Sequence, residues 1–146
     1  MASVKLICTS PITGGESVSV DAVTAIAGHG IEGDRYCEID TDPSQQLTLI
    51  ECEVIDQFNQ ETESQIPYAM FRRNVVTEGI QLNNLVGKTF YVGEVRLRGH
   101  GLCEPCLYLQ ETLKISDLVK RLTHKGGLYC EILTGGTIRS GDNLGA

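Results

Sequence analysis

Thr89-Phe90-Tyr91-Val92-Gly93-Glu94-Val95-Arg96-Leu97-Arg98 decides the fold, and it runs directly into Gly99-His100-Gly101-Leu102-Cys103-Glu104-Pro105-Cys106. Apolar and polar side chains alternate on both sides of Gly93-Glu94, a two-residue turn with glycine first. That pattern predicts a β-hairpin with one buried and one wet face. Gly99, Gly101 and Pro105 predict that Cys106 lies on an accessible loop rather than in a buried strand. The same half of the chain carries Phe71-Arg72-Arg73-Asn74. Thiols beside guanidiniums are suited to soft-ligand or persulfide chemistry on an anionic partner.

Outward from the hairpin, short elements follow one another closely. Val18 and Val20 alternate with polar neighbours and predict a strand. Gly28, Gly30 and Gly33 punctuate a loop ending in Gly33-Asp34-Arg35. Their spacing matches a fragment of a dinucleotide fingerprint, but no amphipathic helix follows, which excludes a Rossmann unit. The glycines instead allow left-handed backbone angles in a tight connection. Thr48-Leu49-Ile50-Glu51 fits a capping box, and Val54, Ile55 and Phe58 share one helical face, predicting a helix over about residues 49–60. Phe71 to Thr77 is a β-rich run, and Gly79 with Asn83-Asn84 marks a turn or short helix.

Ile115, Leu118, Val119 and Leu122 fit a second helix. Lys120, Arg121 and Lys125 favour its negative end, and Gly126-Gly127 stop it. Leu128 to Leu133 and Thr137-Ile138-Arg139 close the chain as strands. Six or more short strands and two helices without βαβ rhythm predict a single domain over residues 1–146. The expected class is mainly β with α, a strongly bent sheet or small β-barrel decorated by helices.

Composition narrows the function. With 146 residues, 41% of them hydrophobic, one domain can bury a real core. No apolar run approaches the roughly 20 residues that span a bilayer. Lys5 inside Val4–Cys8, followed by Pro11 and Gly14-Gly15, does not read as a secretory signal, so a cytoplasmic protein without membrane contact is expected. The net charge of −7 argues against nucleic acid, whose phosphates need a basic surface. Residues 1–70 hold two basic residues against twelve acidic, whereas residues 71–146 hold ten basic against seven acidic, a local net of +3. The second half can therefore accept a small anion.

Six cysteines raise the question of a disulfide framework, which the absence of a secretory context disfavours. Cys8 and Cys130 lie in apolar strand-like segments and Cys52 near a helix start, all consistent with buried thiols. The Cys103/Cys106 pair admits several chemistries. Structural zinc needs two more ligands, from His100 and a distant Cys37, His29, His124 or Cys130. A thioredoxin-like pair needs its first cysteine exposed at a helix start. Two inert core thiols are the third reading.

Gly33-Asp34-Arg35, Thr48-Leu49-Ile50-Glu51, Arg72-Arg73-Asn74-Val75-Val76, Leu82-Asn83-Asn84-Leu85-Val86-Gly87 and Cys103-Glu104-Pro105-Cys106, in this order, resemble the MOSC domain. That family is named after the C-terminal domain of molybdenum cofactor sulfurase. Leu133-Thr134-Gly135-Gly136 and Ile138-Arg139-Ser140-Gly141-Asp142 resemble its ending, so the likeness extends from about Val18 to Leu144. It implies a β-barrel-like fold that binds molybdenum cofactor, a phosphate-bearing pterin with dithiolene-bound molybdenum. It implies that Cys106 is the reactive residue, as molybdenum ligand or sulfur carrier, and that Arg72 and Asn74 contact the cofactor, with Arg35 and Glu104 as further binding residues. A thiolate is the soft ligand such a centre accepts, and Arg72 offers a fork of donors to phosphate or pterin oxygen.

The resemblance further implies either a sulfur or cofactor carrier, or a small molybdenum oxidoreductase acting on N-hydroxylated compounds. Expected partners are a cysteine desulfurase, a molybdoenzyme or an electron-donor protein. Pyridoxal phosphate is not expected on this chain, nor is the extra N-terminal β-domain of amidoxime-reducing members.

Overall fold

A computed structural model describes residues 2–9, 18–32, 46–103, 118–122 and 124–145. The strands among them are β1 Ser3–Thr9, β2 Val18–Val20, β3 Ala22–Ile26, β4 Gly30–Ile31, β5 Leu47–Glu51, β6 Val75–Glu78, β7 Thr89–Val92, β8 Val95–Leu102, β9 Leu128–Thr134, β10 Gly136–Arg139 and β11 Leu144–Gly145. One longer helix, α1, spans Cys52–Glu61, and Leu118–Arg121 forms a short helical turn. Tyr68–Phe71 and Leu82–Leu85 are 3-10 turns.

The hairpin forms as its alternation demands. Tyr91 pairs with Arg96 and Phe90 with Leu97 across the Gly93-Glu94 turn. Phe90, Val92, Val95 and Leu97 are buried, while Thr89, Tyr91, Arg96 and Arg98 face solvent. From this pair an eight-stranded sheet extends in the order β11-β7-β8-β9-β5-β6-β1-β2, with β10-β3-β4 as a second, three-stranded sheet. The larger sheet curls until its ends approach. Val4 N–H donates to the Asp142 carbonyl at 2.8 Å, Leu144 N–H donates to that of Ala2 at 3.1 Å, and Ser3 bridges Asn143. These contacts join β1 to the chain beside β11 without a continuous closing ladder, giving a strongly bent, barrel-like sheet.

Curling leaves two apolar layers. The inner one fills the concave side with Ile7, Leu49, Val75, Leu97, Leu128, Cys130 and their neighbours. The outer one lies where α1 crosses β5 and β6: Ile50 and Val76 of the strands meet Ile55, Phe58, Phe71, Leu118 and Leu122. Phe58 and Phe71 pack edge to face with ring centroids 5.9 Å apart. The alternation of Leu49 inward and Ile50 outward is the two-residue period of a strand buried on both sides.

That double burial explains where the sequence reading and the structure part. Thr48-Leu49-Ile50-Glu51 is strand rather than capping box: the helix begins at Cys52, its N-cap Glu51 makes no side-chain cap, and Thr48 bonds elsewhere. β5 and β6 are parallel, Leu49 opposite Val75, so β5-α1-β6 is one βαβ unit that the sequence rhythm did not reveal. The run from Phe71 to Thr77 is not strand throughout, since Phe71 ends a 3-10 turn and Arg72 is left-handed (φ 62°, ψ 33°) before β6 opens at Val75. Gly99 and Gly101 belong to β8, which continues to Leu102 with a register shift between the two glycines. Gly99 is required there, because a Cβ would overlap the Leu85 carbonyl oxygen that packs against it.

Gly127 is still more constrained, with φ +117° and a missing Cβ whose place is taken by the Leu49 carbonyl oxygen. Gly127→Ala should lower unfolding stability in urea by about 2–3 kcal/mol, the scale of an overpacked and strained site. Gly101→Ala, whose Cβ would meet nothing within 4 Å, should change stability by less than about 0.5 kcal/mol. Equal effects from the two would show that the turn is not tied to β5 as described.

Candidate functional site

The register of the curled sheet draws distant motifs together. Leu102 pairs with Leu128, Leu128 with Leu49, Leu49 with Val75 and Val75 with Ile7. One row thus crosses five strands. It sets the segment before Cys103, the entry to β9, Thr48–Glu51 and the Arg72–Asn74 approach to β6 side by side.

The turn entering β9 joins them. The His124 carbonyl accepts from Asn83 Nδ2 at 2.9 Å, the Gly126 carbonyl from Arg73 Nε at 2.8 Å, and the Gly127 carbonyl from Cys103 N–H at 2.8 Å. Three carbonyls within four residues accept from three separate segments. Cys103, just past the end of β8, is therefore fixed beside the residue that anchors Arg73.

Of the residues assigned from sequence, Arg72 and Asn74 fall on this junction. Arg72 is half-buried, holds a left-handed conformation that costs a non-glycine residue about 1 kcal/mol, and has a polar or electrostatic partner of its own. Asn74 is knitted into the sheet. Its backbone N–H donates to Thr48 Oγ1 at 3.0 Å, while Thr48 Oγ1 and Thr48 N–H donate to Asn74 Oδ1 at 3.1 and 3.0 Å. On its other side Nδ2 donates to the Cys8 carbonyl at 3.4 Å, and Cys8 N–H donates to the Asn74 carbonyl at 2.7 Å. The carboxamide oxygen is committed to Thr48, so a ligand would meet chiefly its amide donor. Cys106, Glu104 and Arg35 lie outside the described residues, as does Cys37.

The described thiols are unsuited to chemistry at neutral pH. Cys8, Cys52, Cys103 and Cys130 are buried. Burial pushes the Cys8 thiol up to about 11. Cys52 opens a helix, a position that ordinarily lowers a thiol pKa, yet burial and then the carboxylates of Glu53, Asp56 and Glu78 raise it to about 12. Cys130 is raised by burial and further by the nearby Cys103 thiol.

Cys103, fully buried at the end of a strand, cannot be the exposed first cysteine of a thioredoxin-like pair. His100 is held on the exposed face by Glu131, Nε2 to Oε1 at 2.9 Å, away from that buried thiol. Among the described residues no group of three or more His, Cys, Asp or Glu side chains is arranged to hold a metal ion.

Two parts of the junction were not assigned from sequence. Arg73 read as a mere neighbour of Arg72, and Gly126-Gly127 read only as a helix stop. The adjacent arginines and the double glycine were the available signals. Their meeting depends on a contact 53 residues apart.

Three outcomes follow. Thr48→Val should cost about 1–3 kcal/mol in thermal or urea unfolding, because it leaves the Asn74 backbone N–H without its acceptor and removes one of the two donors to the carboxamide oxygen; an unchanged stability would contradict the network. In the native protein at neutral pH, a small alkylating reagent should label Cys106 faster than Cys8, Cys52 or Cys130. For Cys8 the sign is fixed by the raised pKa: its protonated form is favoured in the fold, so stability is full below pH 9 and declines as pH rises toward 11. Cys8→Ala should flatten that decline.

Comparison with known proteins agrees with the architecture. YuaD from Bacillus subtilis superposes with a TM-score of 0.85 at 16% identity, covering 99% of this chain and 94% of that one. YiiM from Geobacillus stearothermophilus gives 0.79 at 16% identity, covering 99% and 74%. YiiM from Escherichia coli gives 0.74 at 22% identity, covering 99% and 69%. These likenesses establish a shared fold. No curated protein matches the chain significantly. Residues 29–145 match the MOSC domain, and with that match over most of its length the chain belongs to the MOSC domain family.

Proposed function

We propose that this protein binds molybdenum cofactor, or a sulfurated form of it, through Cys106 and acts as a cofactor or sulfur carrier. The MOSC family is associated with that cofactor. The observation that supports the reading most directly is the junction at Gly126-Gly127. It anchors the Cys103 amide at one carbonyl and a guanidinium at the preceding one.

The residues present suit the group. A molybdenum centre that arrives with dithiolene ligands of its own needs one soft thiolate more, which a cysteine supplies. With Cys103 sealed in the core, Cys106 is the cysteine of the pair left for that role. When bound, the cofactor would supply a high-valent molybdenum centre able to exchange oxygen, sulfur or electrons. The chain's own part is to present one thiolate, to hold the anionic end with Arg72 and its neighbours, and to offer the Asn74 amide toward the heterocycle. The alternative within this reading is a small molybdenum oxidoreductase reducing N-hydroxylated compounds with electrons from a partner protein.

Cofactor retention tests the proposal. After expression in a cofactor-making host, the full chain should purify with molybdenum. Cys106→Ser should lose nearly all of it, while Cys103→Ala should keep most of it at some cost in stability. Zinc in place of molybdenum, or equal loss from both variants, would overturn the proposal in favour of a metal or dithiol module. Incubation with a cysteine desulfurase and cysteine separates the two forms of the reading. Addition of one reductant-labile sulfur at Cys106 supports the carrier, and turnover of an N-hydroxylated compound by the molybdenum-loaded protein supports the enzyme.

A further inference from the structure

Arg73 is half-buried, and its Nε is spent on the Gly126 carbonyl at 2.8 Å. The ion pairs among the described residues join Lys5 to Glu78, His100 to Glu131 and Arg121 to Glu61, and none of them involves Arg73. A half-buried guanidinium that no carboxylate of the described residues meets can be completed by an anion. With Nε spent on the backbone carbonyl, the guanidinium keeps its two terminal nitrogens for another partner. Those two form the fork that meets two oxygens of one oxyanion.

We propose that Arg73 is the primary anion-binding residue of this site and takes a phosphate-type oxyanion of the ligand. The family resemblance assigned that task to Arg72. The structure gives Arg72 a left-handed backbone and contacts of its own, whereas Arg73 is held in place by the same turn that anchors Cys103. The turn brings further positive charge, since the exposed Lys125 precedes Gly126. Arg73 and Cys103 are thus held at two successive carbonyls of one turn. The inference rests on the proposed function only for the identity of the whole ligand; oxyanion binding itself needs no cofactor.

Titration calorimetry of inorganic phosphate into the cofactor-free full chain at low salt tests it. Saturable one-to-one binding is expected, with Kd raised about tenfold or more in Arg73→Gln, the scale of one charge-assisted fork. Arg73→Lys should fall between, because an ammonium carries the charge without the fork. Arg98→Gln, on the exposed face of the hairpin, should bind like the parent.

A purely structural role for Arg73 would lower the unfolding temperature of Arg73→Gln and leave its Kd unchanged, and that result would overturn the proposal. Absence of saturable binding by the parent would do the same. If Arg73→Gln does not fold, Arg73→Lys decides: a Kd equal to the parent's refutes the fork. Loss of molybdenum retention with phosphate binding intact would refute the proposed function and leave this site standing.

Discussion

The geometry of the site hangs on one backbone turn. Gly126 and Gly127 are buried, and each presents its carbonyl to a donor from another part of the chain: Arg73 Nε to the first, Cys103 N–H to the second. Neither bond is strong alone, about 1 kcal/mol net for a neutral pair and somewhat more for the charged one. Their effect is positional. Gly127 can deliver its carbonyl only because it lacks a Cβ, whose place is taken by the Leu49 backbone. The turn is thereby pinned to β5, and through β5 to the parallel strand β6 that Arg73 precedes. The sheet thus fixes the turn, and the turn fixes both the guanidinium and the Cys103 amide.

Double burial of β5 and β6 is what makes this arrangement rigid. Their inward residues fill the concave core and their outward residues receive α1 and the Leu118–Leu122 segment. Strands packed on both sides cannot slip by one residue without exchanging core faces. The row Leu102–Leu128–Leu49–Val75–Ile7 is fixed accordingly. Backbone strain at Arg72 sits at the edge of this rigid block. Strained residues persist where the surroundings over-determine them, and binding sites are where that is useful.

What could be read from the sequence was local. The hairpin over residues 89–98 was legible because its alternation is strict and its turn chemistry specific. The mainly β class, the buried state of Cys8, Cys52 and Cys130, and the final strands were legible for the same reason. Thr48-Leu49-Ile50-Glu51 misled because its Thr and Glu spacing suits a helix start, whereas the Thr48 hydroxyl is claimed by Asn74, 26 residues on. Gly99 and Gly101 read as loop because glycine usually weakens a strand; here Gly99 is needed so that the Leu85 backbone can approach β8. Arg73 could not be told from Arg72, since the difference between them is a contact to Gly126 and a left-handed residue between the preceding turn and β6. Such information is tertiary.

Native-state hydrogen exchange at the Cys103 amide tests the central claim most directly, because that amide is the link between the cysteine loop and the turn. If Cys103 N–H is held by the Gly127 carbonyl inside the rigid block, it should exchange as slowly as the core amides of β9, through global unfolding. Exchange of Cys103 at the rate of an open loop, with β9 still protected, would contradict the account: the cysteine segment would then be unanchored, and its placement beside Arg73 would have no structural basis.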